Sequence, residues 1–600
     1  MEAFKSILYL VSILVTTCTI FLTKKRSEKL NGVSYYFISI LFFLCYQVFV
    51  RITVNKVGIS GSIVTMTIMN YALSFFCIYW ITKKGIQKYY IEVFDIILMF
   101  TIAGIAIYLG GRQFGWHFDY FNYQSSTDCS RHLMYARTVA KDPYVTGTSM
   151  PFMAINTGLF LEAMYAFIIP YEDVQIFIIT DIIMIFFHGN LFFALIRNKL
   201  DKKKLLLIIG GAASVFYMMG YPLNNMVFGT SYLGVGMLVS IFVFILIDRY
   251  ENKEIGTKFF LVAIVLALLG LLKSYQLFFP IVLVGVLVYY INKNIISRNA
   301  FLQKYTAWIL SGLFLACFLV IGLYFKFLPF GRSKVESLGM PGYMYCSLFG
   351  DFIFLLPILL YRIYRCYKTK TWTFDFIMGM FMISYVMAFL YACYLGQVSP
   401  YYYYKNYYLF WAVAFYMVMQ TVSTIEKERL DGITVYFLSI LALWVFTFGG
   451  IESVIEEKSD VNGQQINYEL HGRSLFRLYS WNYDFGRKEA VPIPMSDDII
   501  ELYHKVADIS ISEREQIQCL NCILFGYFEY YALAYQEELL GYDEKQYGSQ
   551  YMLDKVLNDG DKYTCVIYET CKEIEPETQG YLDTYEKIYE NAAGCIYKIR

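Results

Sequence analysis

Long apolar runs separated by short basic loops dominate the first 450 residues of this chain. A membrane-spanning helix needs about 20 predominantly apolar residues. The pattern of apolar positions predicts about fourteen such spans. They are residues 4–23, 34–54, 60–82, 91–110, 172–196, 204–223, 229–249, 258–272, 274–292, 306–327, 344–365, 373–394, 406–424 and 432–450.

Lysine and arginine clusters follow alternate spans, which indicates loops retained in the cytoplasm. With these loops inside, both termini, the loop 111–170 and the tail after residue 450 are predicted to lie outside. The alternation holds only if 150–170 is not a span. We expect that segment to be a helix in or dipping into the outer interface, and a true span is the alternative.

The apolar run from Phe259 to Asn292 is interrupted by Lys273. As one helix it would be about 51 Å long, whereas the hydrocarbon core of a bilayer is about 30 Å thick. Two shorter helices that meet at Lys273-Ser274-Tyr275 fit the bilayer better. By the alternation of the basic loops, this break faces outside.

Composition supports a membrane protein with a separate tail. Hydrophobic residues make up 58% of the chain, charged residues 16%, and the mean hydropathy is +0.46. Met1–Gly450 carries about 36 basic and 21 acidic residues, and Ile451–Arg600 about 14 and 28. This predicts an α-helical polytopic transmembrane domain over 1–450 and a small extracytoplasmic soluble α/β domain over 451–600. An acidic tail argues against a nucleic-acid partner.

The tail has its own secondary-structure signals. A helix is predicted over Ser496–Asp508, with Ser496 as its cap, and strands over Tyr563–Tyr568, Cys595–Ile599 and Tyr585–Tyr589. Cys519 and Cys522 form a lone C-x-x-C. Without a second pair it argues against zinc and leaves a disulfide or two free thiols open.

The first outer loop carries the candidate chemistry. A helix is predicted over Asp128–Ala140, and on it Asp128, His132 and Tyr135 share one face. Asp128 is either a general base beside His132 or a simple helix cap. Asp119, among aromatic residues, is a second acid, a metal ligand or a turn residue.

Three cations are candidates for binding an anion at the outer face. Lys273 interrupts an apolar run, which is costly unless it meets water, a partner or an anion, or reaches the interface. Lys405 lies in the tyrosine-rich segment Pro400–Tyr408, and Arg131 lies beside His132. A lipid phosphate would suit all three.

These features resemble the GT-C class of polytopic glycosyltransferases. The similarity rests on Asp128-Cys129-Ser130-Arg131-His132 with the residues up to Tyr144, on Leu269–Tyr275 with Pro280 downstream, and on the layout of spans, outer loop and tail. The sequence departs from the family in three additional early spans. It also has Cys129 where an acidic neighbour is usual, so the choice between Asp128 and Asp119 stays open.

The resemblance implies an inverting transfer of a sugar from a polyprenyl-phosphate carrier to an envelope glycan, lipid or protein on the outer face. It implies Asp128 as the general base, with Asp119 second, and a lipid-phosphate site at Lys273, then Lys405 and Arg131, together with His132. A divalent cation, Mg²⁺ or Mn²⁺, would be held by Asp119, Asp128 and His132. The expected location is a bacterial plasma membrane.

Three other functions fit a many-spanning chain. A transporter or flippase of lipid-linked saccharides needs polar residues within several spans, and here Asp95, Asp181 and Lys273 are the mid-span charges. A polysaccharide polymerase or ligase would also use a large outer loop. A non-catalytic scaffold would use its tail to bind a partner.

Overall fold

The computed structural model describes most of the transmembrane domain and parts of the tail. The described residues are 2–25, 29–114, 116, 126–145, 150–168, 172–200, 204–327, 352, 355–425, 455–461, 464–470, 497–510, 516–521, 544–558, 563–569 and 574–600.

Helices form nearly all of the described transmembrane domain. They are α1 (Glu2–Leu22), α2 (Gly32–Lys56), α3 (Ile63–Lys84), α4 (Val93–Phe114), α5 (Ser126–Lys141), α6 (Phe152–Met164), α7 (Asp173–Arg197), α8 (Lys204–Met219), α9 (Tyr221–Phe228), α10 (Ser231–Glu251), α11 (Thr257–Ser274), α12 (Phe278–Ile291), α13 (Ala300–Lys304), α14 (Thr306–Phe327), α15 (Leu356–Thr369), α16 (Phe374–Tyr394) and α17 (Pro400–Ile425).

Eleven segments within the described ranges are long and apolar enough to cross a membrane, so the chain is a helical polytopic membrane protein. They match eleven of the predicted spans. Of the other three, 406–424 lies within α17, and 344–365 is described only in part, where α15 has 14 residues. Residues 432–450 lie outside the described ranges. The count of fourteen therefore stays a prediction.

Two expectations concern unusual helices, and the first of them is confirmed. The run from Phe259 to Asn292 divides into α11 and α12, and Tyr275 has an extended backbone between them. The segment 150–170 contains α6, which has 13 residues. A helix of that length is about 20 Å long, too short to cross a hydrocarbon core of about 30 Å. It packs against α5, α1 and α2, and its place at the outer interface stays a prediction.

Ion pairs gather helix ends at one face of the transmembrane domain, which we call the basic face. Arg197 at the end of α7 pairs with Asp95 in α4 at 2.8 Å, and Lys199 pairs with Asp248 near the end of α10 at 2.6 Å. These are the same helix ends that precede or follow the predicted cytoplasmic loops. The helix ends that these ion pairs join are therefore among those that the alternation of basic loops predicts to share a face.

At the opposite face, the residues that follow α5 meet the end of α2 and the residues before α3. The guanidinium of Arg51, near the end of α2, donates to the carbonyl of Asp142 at 3.0 Å. The backbone N–H of Gly61, before α3, donates to the carbonyl of Pro143 at 2.7 Å. These bonds fix the end of α5 against the loop between α2 and α3.

The tail contains a small mixed sheet, as expected. Its strands are β5 (Ile517–Asn521), β6 (Cys565–Glu569), β7 (Glu586–Asn591) and β8 (Gly594–Lys598), in the order β5-β6-β8-β7; β5 and β6 are parallel and the other pairs antiparallel. Helices α18 (Asp497–Asp508), α19 (Glu544–Asn558) and α20 (Pro576–Leu582) accompany it. Two short strands, β1 (Leu30–Asn31) and β2 (Tyr89–Tyr90), pair near the basic face, and β3 (Ile455–Val461) pairs with β4 (Gln464–Leu470).

The predicted tail strands are confirmed at β6, β7 and β8, and the predicted helix at α18. Ser496, its expected cap, lies outside the described residues. Cys519 lies in β5 and is disulfide-bonded. The sequence left a disulfide open, with two free thiols favoured at least as much, and the structure has Cys519 in a disulfide.

Candidate functional site

Lys405 is the most enclosed lysine among the described residues. It lies in the second turn of α17, and only 3% of its surface is exposed. Its ammonium group donates to the hydroxyl of Tyr232 at 2.7 Å and lies 3.9 Å from the ring centre of Tyr401. The ring of Tyr402 lies 5.2 Å away. The contacts described for this charge include a neutral hydroxyl and aromatic faces, which attract a cation.

Tyr232 connects Lys405 to two other elements. It lies in the first turn of α10, and its ring meets that of His132 in α5 edge to face, with centres 5.0 Å apart. On its other side the ring of Tyr275, in the break between α11 and α12, lies 5.6 Å away. We call His132, Tyr232, Tyr275, Tyr401, Tyr402 and Lys405 the tyrosine–lysine cluster.

A glycine allows the helix break to approach α10 closely. A Cβ atom added at Gly236 would lie 2.8 Å from the Cβ of Tyr275 and 3.1 Å from the ring of Phe278. Real Cβ atoms do not approach this closely, so a larger residue would push the break away from Tyr232. The contact between Tyr232 and Tyr275 therefore depends on this position.

An enclosed ion pair holds α5 in place. The guanidinium of Arg137 donates twice to the carboxylate of Asp173 at the start of α7, at 2.7 and 2.6 Å, and Tyr165 donates to the same carboxylate. A two-point arginine–carboxylate contact fixes direction as well as distance. Since His132 is on the same helix, its position beside Tyr232 is fixed by these contacts.

Close packing between α5 and α6 has the same effect. A Cβ atom added at Gly158 of α6 would lie 2.6 Å from the carbonyl oxygen of Ala136 and from the Cβ of Val139. The backbones of the two helices therefore nearly touch. Helix α6 in this way supports the helix that carries His132.

Unsatisfied polar atoms lie around the cluster. Within the described part of the chain, the buried hydroxyls of Tyr275 and Tyr385 and the side-chain oxygen of Asn406 have no hydrogen-bond partner. Leaving such a group unpaired costs about 1–3 kcal/mol, so a polar ligand or water at this position would be stabilised. Burial raises the pKa of the Tyr275 hydroxyl well above its usual value, with the neighbouring phenols adding to the shift. It therefore stays protonated and can donate.

Some of the predicted site residues belong to this cluster and others do not. His132 and Lys405 belong to it. Lys273 lies two residues before Tyr275, is half-buried and is close to Lys56 at the end of α2. Arg131 is exposed on α5. The break thus contributes a tyrosine to the described contacts of the cluster, where the sequence had pointed to its lysine.

The predicted acids fall largely outside the described residues. Asp128 is in the first turn of α5, one helical turn before His132, and its side chain is not among those described; Asp119 lies outside altogether. Among the described residues no three His, Cys, Asp or Glu side chains lie together as metal ligands. The proposed Mg²⁺ or Mn²⁺ site therefore stays a prediction.

Sequence reasoning missed Tyr232. Nothing distinguishes it locally from the other tyrosines among the 57 in the chain. Its role appears only when α5, α10, the helix break and α17 are brought together.

No protein-family model, no curated protein sequence and no solved structure matches this chain. A proposal about its function therefore has to come from its own residues.

Proposed function

We propose that this chain is a membrane glycosyltransferase that moves a sugar from a polyprenyl-phosphate carrier to a cell-envelope acceptor on the outer face of a bacterial plasma membrane. One observation carries the proposal. The buried ammonium group of Lys405 contacts tyrosines, and through Tyr232 it is connected to both the helix α5 and the helix break. These are three of the elements in which the sequence predicts the site.

The cluster suits the leaving group of this reaction. When the bond between the anomeric carbon and the phosphate oxygen breaks, negative charge develops on the lipid phosphate. A cation and hydroxyl donors already fixed at that point stabilise the charge in the transition state. Lys405 would supply the charge, and the hydroxyl of Tyr275 would supply a donor that has no partner within the described residues.

The outer-loop helix suits the other half of the reaction. An acceptor hydroxyl attacks the anomeric carbon and loses its proton as the new bond forms, so a carboxylate beside it accelerates the step. Asp128 would take that proton, and a single displacement inverts the configuration of the sugar. Its position one turn before His132 puts it on the helix that Arg137 and Gly158 hold against the cluster.

The tyrosine rings suit a carbohydrate. A ring packs its apolar face against the C–H face of a sugar, while its hydroxyl makes a hydrogen bond at the edge. Such a residue binds the sugar without adding charge. Tyr232, Tyr275, Tyr401 and Tyr402 would form this lining.

Sidedness supports an extracytoplasmic reaction. Loops rich in Lys and Arg are retained in the cytoplasm, and those loops are at the basic face, away from the cluster. The disulfide of Cys519 also favours an oxidising compartment for the tail. With both termini outside, the tail would lie on the same side as the cluster and could contact the acceptor.

A flippase for lipid-linked saccharides is the second candidate, because polar contacts occur within the spans. Ser231 donates to the carboxylate of Asp181 in α7 at 2.6 Å, and the ring nitrogen of His188 lies 3.1 Å from the carbonyl of Gly234. Polar groups at membrane depth often mark a transport path. A flippase would move the carrier without breaking the bond to its sugar. A polymerase of lipid-linked saccharides would break that bond but join the sugar to another carrier-linked chain.

The test uses the full chain in phospholipid vesicles with a panel of radiolabelled polyprenyl-phosphate hexoses and an envelope extract as acceptor. We expect the wild type to release polyprenyl phosphate and label the acceptor. Lys405→Gln should lower the rate by about 10²–10³, the range for one lost transition-state donor. Asp128→Asn should lower it by about 10²–10⁴, the range for a lost general base.

Two matched variants control for loss of charge alone. Lys258→Gln removes an exposed lysine near the basic face, and Asp142→Asn removes an exposed acid beyond the other end of α5. Both should transfer at the wild-type rate. Full activity of Lys405→Gln would refute the assignment of this site. Translocation of the labelled carrier by the wild type with its sugar still attached would favour the flippase.

A further inference from the structure

A second binding feature lies away from the tyrosine–lysine cluster. Helices α14, α15 and α16 enclose a groove of about 350 Å³. Its walls are almost entirely apolar and include Ala307, Leu310, Phe314, Ile363, Phe376 and Met380. This volume is within the range of small-ligand sites in proteins. The walls suit a hydrocarbon chain.

The groove is in the half of the transmembrane domain that ends at the basic face. Ala307 is in the first turn of α14, Tyr367 is in the last turn of α15, and Trp372 precedes α16. All three line the groove. The ring of Phe374, at the start of α16, packs 5.5 Å from that of Phe244 in the second half of α10, which ends in the ion pairs of the basic face.

The groove opens to the surface of the protein. The lining side chains of Tyr364 and Tyr367 are 58% and 67% exposed. Arg362 donates twice to the carboxylate of Asp375 at 3.0 Å, which holds α15 and α16 together. The groove is therefore a slot between fixed helices with an open side.

Cations and exposed aromatic residues lie next to lining residues along the chain, and the ammonium group of Lys368 lies 5.7 Å from the ring centre of Tyr364, which lines the slot. Lys304 lies three residues before Ala307, and Lys368 directly follows Tyr367; both are exposed. Trp308, 80% exposed, is in the first turn of α14. Tryptophan and tyrosine concentrate at the level of lipid headgroups. Basic positions between helices at this level attract anionic headgroups.

We propose that this groove binds one anionic phospholipid from the leaflet at the basic face, with an acyl chain in the slot and its phosphate near Lys304 and Lys368. An acyl chain would pack against these apolar walls and gain dispersion contacts with them. The charge at the mouth selects an anionic over a zwitterionic headgroup. This lipid is distinct from any carrier at the tyrosine–lysine cluster, because the two sites end at opposite faces.

The test measures lipid that remains on the purified full chain, by native mass spectrometry in detergent after exchange with phosphatidylglycerol, phosphatidylcholine or a polyprenyl phosphate. We expect one phosphatidylglycerol to be retained at least tenfold more tightly than phosphatidylcholine. Lys304→Gln combined with Lys368→Gln should weaken its binding by about tenfold or more, since each basic residue near a lipid surface contributes a factor of about five. Ala307→Trp, which fills the mouth, should abolish retention.

Matched variants separate the groove from general effects on charge and size. Lys83→Gln with Lys84→Gln removes two exposed lysines from the end of α3, and Ala72→Trp adds bulk at an exposed position of α3. Both should retain the lipid as the wild type does. Equal retention of phosphatidylcholine, unchanged binding in Ala307→Trp, or displacement of the lipid by polyprenyl phosphate at equal concentration would each overturn the proposal.

Discussion

Arg197 at the basic face and Lys405 in the tyrosine–lysine cluster are almost equally buried, at 4% and 3% exposure, but their contacts differ in kind. Arg197 lies 2.8 Å from Asp95 and 2.8 Å from Glu92, two carboxylates. The ammonium group of Lys405 contacts phenol rings and a hydroxyl. Among the described contacts, the first charge meets two acids of the same chain, and the second meets aromatic rings and a neutral hydroxyl.

The difference shows how buried charges in a membrane protein can be sorted into structural and functional ones. A charge neutralised by neighbouring helix ends joins those ends, and its removal should affect stability first. A charge held in an aromatic enclosure contributes less to joining helices. Its removal should affect ligand binding or catalysis first, which is the pattern expected for ionisable groups in membrane domains that serve function.

The largest expected effect that tests this comparison is on stability at the basic face. Arg197→Gln leaves Asp95, 1% exposed, without its cation. Breaking a buried pair by removing one partner costs about 3–5 kcal/mol. We expect a clear drop in the melting temperature of the purified protein, while the folded fraction keeps its transfer rate.

The converse result is expected for Lys405→Gln, whose melting temperature should stay close to that of the wild type. If Arg197→Gln abolished transfer at unchanged stability, or if Lys405→Gln unfolded the protein, the two charges would not differ in the way their contacts indicate.

Gly158→Leu tests whether the enclosure depends on the position of α5. The added side chain would meet the backbone of Ala136, and overpacking of this kind costs about 1–3 kcal/mol. We expect transfer to fall at least tenfold because His132 moves away from Tyr232. Gly104→Leu, at a glycine with open space around it, is the matched control and should be active. Wild-type activity in Gly158→Leu would show that the α5–α6 contact does not position the site.

Much of this architecture is readable from the sequence, and the reason is physical. Span length, the break at Lys273-Ser274-Tyr275 and the short helix α6 all follow from bilayer thickness and local hydropathy. The helix carrying Asp128 and His132 follows from its local pattern. Each of these is decided within about 20 residues.

The centre of the candidate site was not readable in the same way. The contact of Lys405 with Tyr232 joins residues 173 positions apart. It also requires Gly236 to admit Tyr275. No local sequence pattern encodes such packing. Lys405 and His132 were therefore predicted separately, and Tyr232, which contacts both, was missed. The hairpin of β3 and β4 was missed for a different reason: its charged strands lack a clear alternation of apolar residues.

Tyr232→Phe is a smaller and sharper test of the enclosure. It keeps the ring that meets His132 and removes the hydroxyl that accepts from Lys405. A hydrogen bond to a charged group contributes about 1.5–3 kcal/mol, so we expect a loss of roughly tenfold or somewhat more in transfer. Tyr250→Phe, in the last turns of the same helix at the basic face, is the control and should be unaffected. Equal rates for Tyr232→Phe and wild type would mean that the ring alone matters.

The smallest expected effect concerns Glu162, a charged group at the opposite face that lies outside the cluster. Burial raises the pKa of its carboxyl to about 7, although the backbone N–H of Ile63 donates to it at 3.0 Å and the charge of Arg51 lowers the pKa. Tyr9 also lies within range of this carboxyl. Because the folded protein holds this proton more tightly than the unfolded chain, the stabilisation is fully present below about pH 4.5 and lost as the pH rises through about 7.

The melting temperature of the wild type, measured relative to that of Glu162→Gln, should therefore fall by about 2 °C between pH 5 and pH 8. Measuring the difference between the two proteins at each pH removes the contribution of other carboxyls. The transfer rate should depend on pH in the same way in both proteins, because Glu162 lies in α6 and is not part of the cluster. A pH–rate profile that changed in Glu162→Gln would bring this acid into the functional site and reduce the contrast between the cluster and the charges around it.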